Sequence, residues 1–270
     1  MRWQRILHHF TQMIQTIFFH KDGVEFLYNH KLWSGFWKYS WVAKSLVFLA
    51  MLVGWKTIMV IIDLGESYFS ADSVSVSSVF SFGESFLSEE YNLLFTGSMK
   101  YIMIILLEVV IFHISRKTLE TIGVNGGESS FNAFIQAQVR MLKIAVRSWI
   151  LESIMVVIVK MIFNFFGFLD FLQPAFIFGI QCFFVGLAVV DNYFEQFEIR
   201  MEDSIRLARK FAGVCLGVGL VFQLLMVIPI LGPILGPALA AVTATLLLYK
   251  LLPLSNDKEV EADVLLEQIA

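Results

Sequence analysis

Three bases, Arg140, Lys143 and Arg147, recur at spacings of three and four, the period that brings side chains to one helix face. Guanidinium groups offer several fixed donors to a tetrahedral oxyanion, so an inward-facing stripe of this kind would hold one. Facing outward, the same stripe would rest on anionic lipid headgroups. Arg206, Arg209 and Lys210 repeat the pattern just ahead of a long apolar stretch, and carry the same two readings. A second set of charges interrupts segments that are otherwise apolar: Glu108, Glu152, Lys160 and Asp191. Ionisable groups at membrane depth are costly, which makes each a candidate to gate or line a polar path. Ion pairing between helices, fixing their packing, is the alternative use of the same residues.

Other chemistries lack their residues. The histidines, at 8, 9, 20, 30 and 113, have no metal-ligand spacing, and neither G-x-S-x-G nor H-E-x-x-H occurs. Cys182 and Cys215 both fall inside apolar segments, far apart, and read as buried inert thiols. The IGVNGGESS segment lacks the G-K-[ST] of a phosphate loop and reads as a turn. No catalytic residue, metal, cofactor or nucleic-acid partner is expected, and no ATP hydrolysis.

The elements that must position these charges are greasy. Apolar residues make up 57% of the chain against 16% charged, and mean hydropathy is +0.73, the composition of an integral membrane protein. Most telling is residues 211–252. Two apolar arms, FAGVCLGVGLVFQLLMVI and PALAAVTATLLLYKLL, flank a corner in which Pro229, Pro233 and Pro237 interleave with Gly232 and Gly236. Proline removes a backbone donor and clashes with the preceding turn, so the corner predicts a helical hairpin. Gly213 and Gly217 on one arm, and Gly236, Ala240 and Ala244 on the other, predict small-residue seams along which the two arms meet.

Upstream, residues 1–44 read as a basic, aromatic amphipathic segment at headgroup level, broken in two by Asp22-Gly23. Spans are predicted near 45–62 and 100–118. Between them, 63–99 is an acidic, serine-rich loop with no Lys or Arg. Residues 115–148 return to basic character. Trp149 to Phe166 and Ala175 to Val190 flank a break at GFLDFLQP, which predicts a second hairpin; 191–210 is a charged helical connector and 253–270 an acidic tail. Counting Lys and Arg alone, the base-rich segments lie on one side and 63–99 on the other. The layout is therefore a single all-α membrane domain over 1–270: two long transmembrane helices, two hairpins and an N-terminal interfacial helix, with both termini cytoplasmic.

Four stretches carry a resemblance: NHKLW ahead of a span, R-x-L-K-I-A-V-R-S-W-I-L-E from Arg140, D-N-Y-F-E with E-D-S-I-R, and IPILGPILGPALAAVTATLL. Together they resemble the etoposide-induced-protein (EI24) domain family of membrane proteins, which includes the CysZ-type sulfate permeases. The likeness covers roughly residues 20–252. It implies two long transmembrane helices, two partly penetrating hairpins and assembly into homo-oligomers. Where CysZ-type proteins carry a sulfate-contacting Gly-Leu-Arg motif, this chain reads Tyr28 to Trp33 with Lys31 as its positive charge. Their D-Y-x-x-E-R pattern maps onto Asp191 and Glu195, with tyrosine at 193 and Gln196 in the arginine position.

The expected function is movement of a small inorganic anion such as sulfate through a bacterial inner membrane. Lys31, Arg140, Lys143, Arg147, Arg206 and Arg209 would bind the anion; Glu108, Glu152, Lys160, Asp191 and Glu195 would line or gate its path. A scaffold that organises membrane lipid without transport is the alternative.

Overall fold

The computed structural model describes residues 2–34, 55, 58–66, 81, 85, 99–124, 131–165, 171–228 and 231–254. The helices over those residues are α1 Arg2–Asn29, α2 Met99–Thr121, α3 Phe131–Phe165, α4 Gln173–Glu195, α5 Met201–Lys210, α6 Ala212–Met226 and α7 Leu231–Leu251. No strand occurs among the described residues, so the all-α expectation is met. Most of the span predicted at 45–62, most of the acidic loop and most of the tail lie outside them, although 58–66 is helical.

α4 is the hub, packed against α2, α3, α5, α6 and α7. Its contact with α6 is backbone on backbone. A side chain at Gly186 would strike the Cys215 carbonyl, and one at Gly219 would strike the Cys182 carbonyl. The two pairs set one antiparallel register, each glycine a notch for the carbonyl of the other helix. Close approach multiplies dispersion contacts between apolar helices. Around this crossing Phe184, Val185, Ala188, Val214, Val218 and Phe222 are buried.

The small-residue seam on α6 serves a different neighbour from the one predicted. Gly213 lies under His9 and Gln12 of α1, and Gly217 under Met13 and Thr16, so α1 runs parallel to α6 along that seam. Gly236 of α7 does face α6, but its nearest atoms there are the Met226 and Leu225 side chains at 3.6–3.7 Å and not backbone. Spacing marks a seam but does not say which helix fills it. The α6–α7 reversal itself is tight: Gly232 sits against the Leu225 carbonyl and Met226. Pro229 lies outside the described residues, and the proline corner is shorter than expected, because α7 already begins at Leu231 and holds Pro233 and Pro237. In the first turn of a helix the missing N–H of Pro233 costs nothing; only Pro237 removes an internal bond.

Three further boundaries differ from the sequence expectation. α1 runs through Asp22-Gly23 as one helix, because Gly23 is a point of close approach to Thr243 and Leu239 of α7 and not a breaker. The basic stretch 115–148 is mostly helix: α2 continues to Thr121 and α3 starts at Phe131, running 35 residues, about 52 Å. Asp191 to Glu195 complete α4, and the expected connector is a bend followed by short α5, which meets α6 at 91° around Phe211.

Three helices end the same way. After α1, α2 and α4 the chain closes with paired backbone bonds: Leu32 N–H to the Leu27 carbonyl and Lys31 to Tyr28, Val124 to Leu119 and Gly123 to Glu120, Ile199 to Phe194 and Glu198 to Glu195. This is the Schellman arrangement, which needs a left-handed residue at its corner. Gly123 supplies one at φ 80°, whereas Lys31 (48°) and Glu198 (56°) adopt it despite a Cβ. The next residue, Leu32 or Ile199, turns into the core.

Candidate functional site

The polar centre of the molecule forms where α3, the end of α4 and the start of α5 meet. Arg140 Nε and Nη2 donate to the two carboxylate oxygens of Asp191 at 2.9 and 2.8 Å. Its third nitrogen, Nη1, donates to the Ile199 carbonyl in the turn after α4. The Ser204 hydroxyl of α5 also donates to Asp191. A bidentate fork with extra donors is the geometry that offsets the desolvation of a buried pair. Asp191 is 3% exposed, and the clamp ties three segments to one carboxylate.

One residue further along α4, Asn192 Nδ2 donates to Glu108 of α2 at 3.1 Å. Glu108 is fully buried; its other carboxylate oxygen and the Asn192 oxygen have no partner. Glu195 lies close enough to act electrostatically on Glu108, as do Asp191 and Arg140. Three carboxyl groups thus surround one guanidinium. On the other side of α4, the Tyr193 hydroxyl donates to the Leu252 carbonyl at 2.6 Å, pinning the end of α7.

The predicted anion-binding bases do not converge. Arg140 turns inward to Asp191. Lys143 and Arg147 point outward and line a shallow groove with Leu142, Val146, Ile150 and Leu151. Arg206 is exposed and bonded to Asp203 at 2.8 Å on its own helix; Arg209 is exposed on α5. Lys31 is exposed at the corner after α1. Of the predicted lining residues, Glu108, Asp191 and Glu195 come together, Glu152 is buried on α3, and Lys160 is exposed near the far end of α3. Among the described residues no cluster of His, Cys, Asp and Glu could hold a metal. Cys182 and Cys215 are buried and are not in a disulfide.

Asn192, Ser204 and the Ile199 carbonyl were not singled out by the sequence, and Tyr193 entered only through the family pattern. Asn192 and Tyr193 directly follow Asp191, whereas nothing local marks Ser204 or Ile199.

Among the described residues α4 is the one helix long and apolar enough to cross a membrane; α5 and α6 pass the same test only when joined across their bend. No protein-family model matches the chain, and comparisons with curated proteins and with solved structures return no match.

Proposed function

We propose that the chain is an integral membrane protein that contacts and organises lipid as a scaffold, in preference to conducting an anion. One observation carries the choice: of the six bases that would select an anion, Arg140 alone turns into the helix bundle, and Asp191 takes two of its nitrogens. A free oxyanion there would have to displace Asp191 from its donors with Glu108 and Glu195 close by, against like charge in a low-dielectric setting. The other five are exposed, as bases at a headgroup layer are. In this reading α2 and the span predicted near 45–62 are the long spans, α3–α4 and α6–α7 are hairpins, and both termini face the cytoplasm. Exposed Trp3, Ile6, Leu7 and Phe10, one apolar stripe on α1, fit an interfacial start.

Permeation of a small anion such as sulfate by an oligomer, the role implied by the EI24-family resemblance, is the second reading. One observation favours it: the buried amide nitrogens of Gln138 and Gln196 lack an acceptor, which an oxyanion would supply. Radiolabelled sulfate uptake into proteoliposomes separates the two. Uptake equal to that of empty vesicles is expected; uptake above it that disappears in Gln138→Leu with Gln196→Leu would overturn the scaffold reading.

A further inference from the structure

We infer that the outward groove on α3 binds an anionic phospholipid, its phosphate between Lys143 and Arg147 and an acyl chain laid over the aliphatic residues beyond them. This rests on the membrane reading above and deepens it. Leu142, Val146 and Ile150 are each close to half exposed, and no acidic side chain lines the groove. Neither Lys143 nor Arg147 has a salt-bridge partner among the described residues, whereas Arg140, one turn earlier, has Asp191.

Past the bases the apolar face continues. Ile154, Val157, Ile158 and Met161 are exposed, so from Ile150 to Met161 the helix offers an apolar strip about 16 Å long. Trp149, 42% exposed, lies at the same level of α3 as Arg147, an aromatic and a base at one height as at a membrane interface. The level agrees with the rest of the fold. Arg140 meets the last turn of α4, so the bases lie at the end of the bundle where α4 stops, and the apolar strip runs toward its interior depth.

Charge decides the occupant. A second copy seated across a two-fold axis would set Lys143 and Arg147 against themselves, and like charges across an interface repel. A zwitterionic lipid would leave two cations without a net counter-charge. An anionic headgroup brings a net negative charge that both cations can share, and its acyl chain matches the strip.

The test uses the purified full-length protein in detergent, with retained lipid read by native mass spectrometry. Phosphatidylglycerol is offered against phosphatidylcholine of identical acyl chains. Preferential retention of phosphatidylglycerol is expected, falling about fivefold for each of Lys143→Gln and Arg147→Gln. Val146→Trp keeps both charges but fills the groove, and should lower retention as well. Equal retention of the two lipids, or a preference that survives the double Gln variant, overturns the site while leaving the membrane reading intact. Release of the chain by carbonate washing as a detergent-free soluble protein would sink that reading, and the site with it.

Discussion

Arg140 and Asp191 are 51 residues apart in the chain and meet through two parallel hydrogen bonds, 2.9 and 2.8 Å long. The pair joins α3 to α4, and through Ile199 and Ser204 it also holds the bend and α5.

Removing one partner strands the other. Asp191→Ala or Arg140→Ala should each cost about 3 kcal/mol, the scale for an uncompensated buried charge. Arg140→Met combined with Asp191→Leu should recover most of that loss, since an apolar pair of similar volume replaces the ions without desolvation. Thermal unfolding in detergent is the measurement; a double variant no more stable than either single one would show that the pair is not a unit.

Glycines at the α4–α6 crossing should tolerate nothing larger. Gly186→Ala or Gly219→Ala places a methyl on a backbone carbonyl, and the helices must part at a cost of roughly 1–3 kcal/mol. Gly179→Ala, on the same helix with open space around it, should instead stabilise by up to about 1 kcal/mol. Equal melting temperatures for Gly179→Ala and Gly186→Ala would contradict the packing described.

Two left-handed corners lack glycine. Lys31→Gly and Glu198→Gly should each raise stability by roughly 1 kcal/mol by relieving the Cβ clash. Gly123→Ala should lower it by a similar amount. The Lys31 variant has a second use. If that lysine bound a transported anion, Lys31→Gly would stabilise the fold and abolish uptake together.

The Tyr193 hydroxyl holds the end of α7 through the Leu252 carbonyl. Tyr193→Phe should cost about 1 kcal/mol, the net worth of one such bond. Limited proteolysis should then cut after residue 252 faster than in the unaltered protein, while cleavage elsewhere keeps its rate.

What the sequence made legible is what local chemistry writes. The helix predicted near 100–118 is α2, and the two arms around the proline corner are α6 and α7. Glycine misled in both directions. Gly23 reads as a breaker, yet it is where Thr243 needs room; Gly213 and Gly217 read as the seam for α7, yet α1 fills it. A missing Cβ records that something comes close without recording what. Arg140, Lys143 and Arg147 share a period, but Arg140 sits at the edge of the buried face, where a long side chain can reach a carboxylate on α4. Only the docked partner separates it from the other two. Asp191 reads both as an intramembrane charge and as the first residue of a charged connector; its burial depends on Arg140 and Ser204, neither adjacent in the chain.

The 91° elbow at Phe211 leaves α6 with 15 residues, or about 22 Å of rise, while a bilayer's hydrocarbon slab is about 30 Å deep. Seated in that slab from the cytoplasmic face, as the proposed membrane reading has it, α6 would pass the midplane and end about 8 Å short of the opposite face. On that reading the far monolayer would thin to meet its end, at fractions of a kcal/mol for each ångström of shortfall. A molecule that puckers its surroundings in this way would gather with others wherever the sheet is already thin, so its distribution across a membrane would follow thickness.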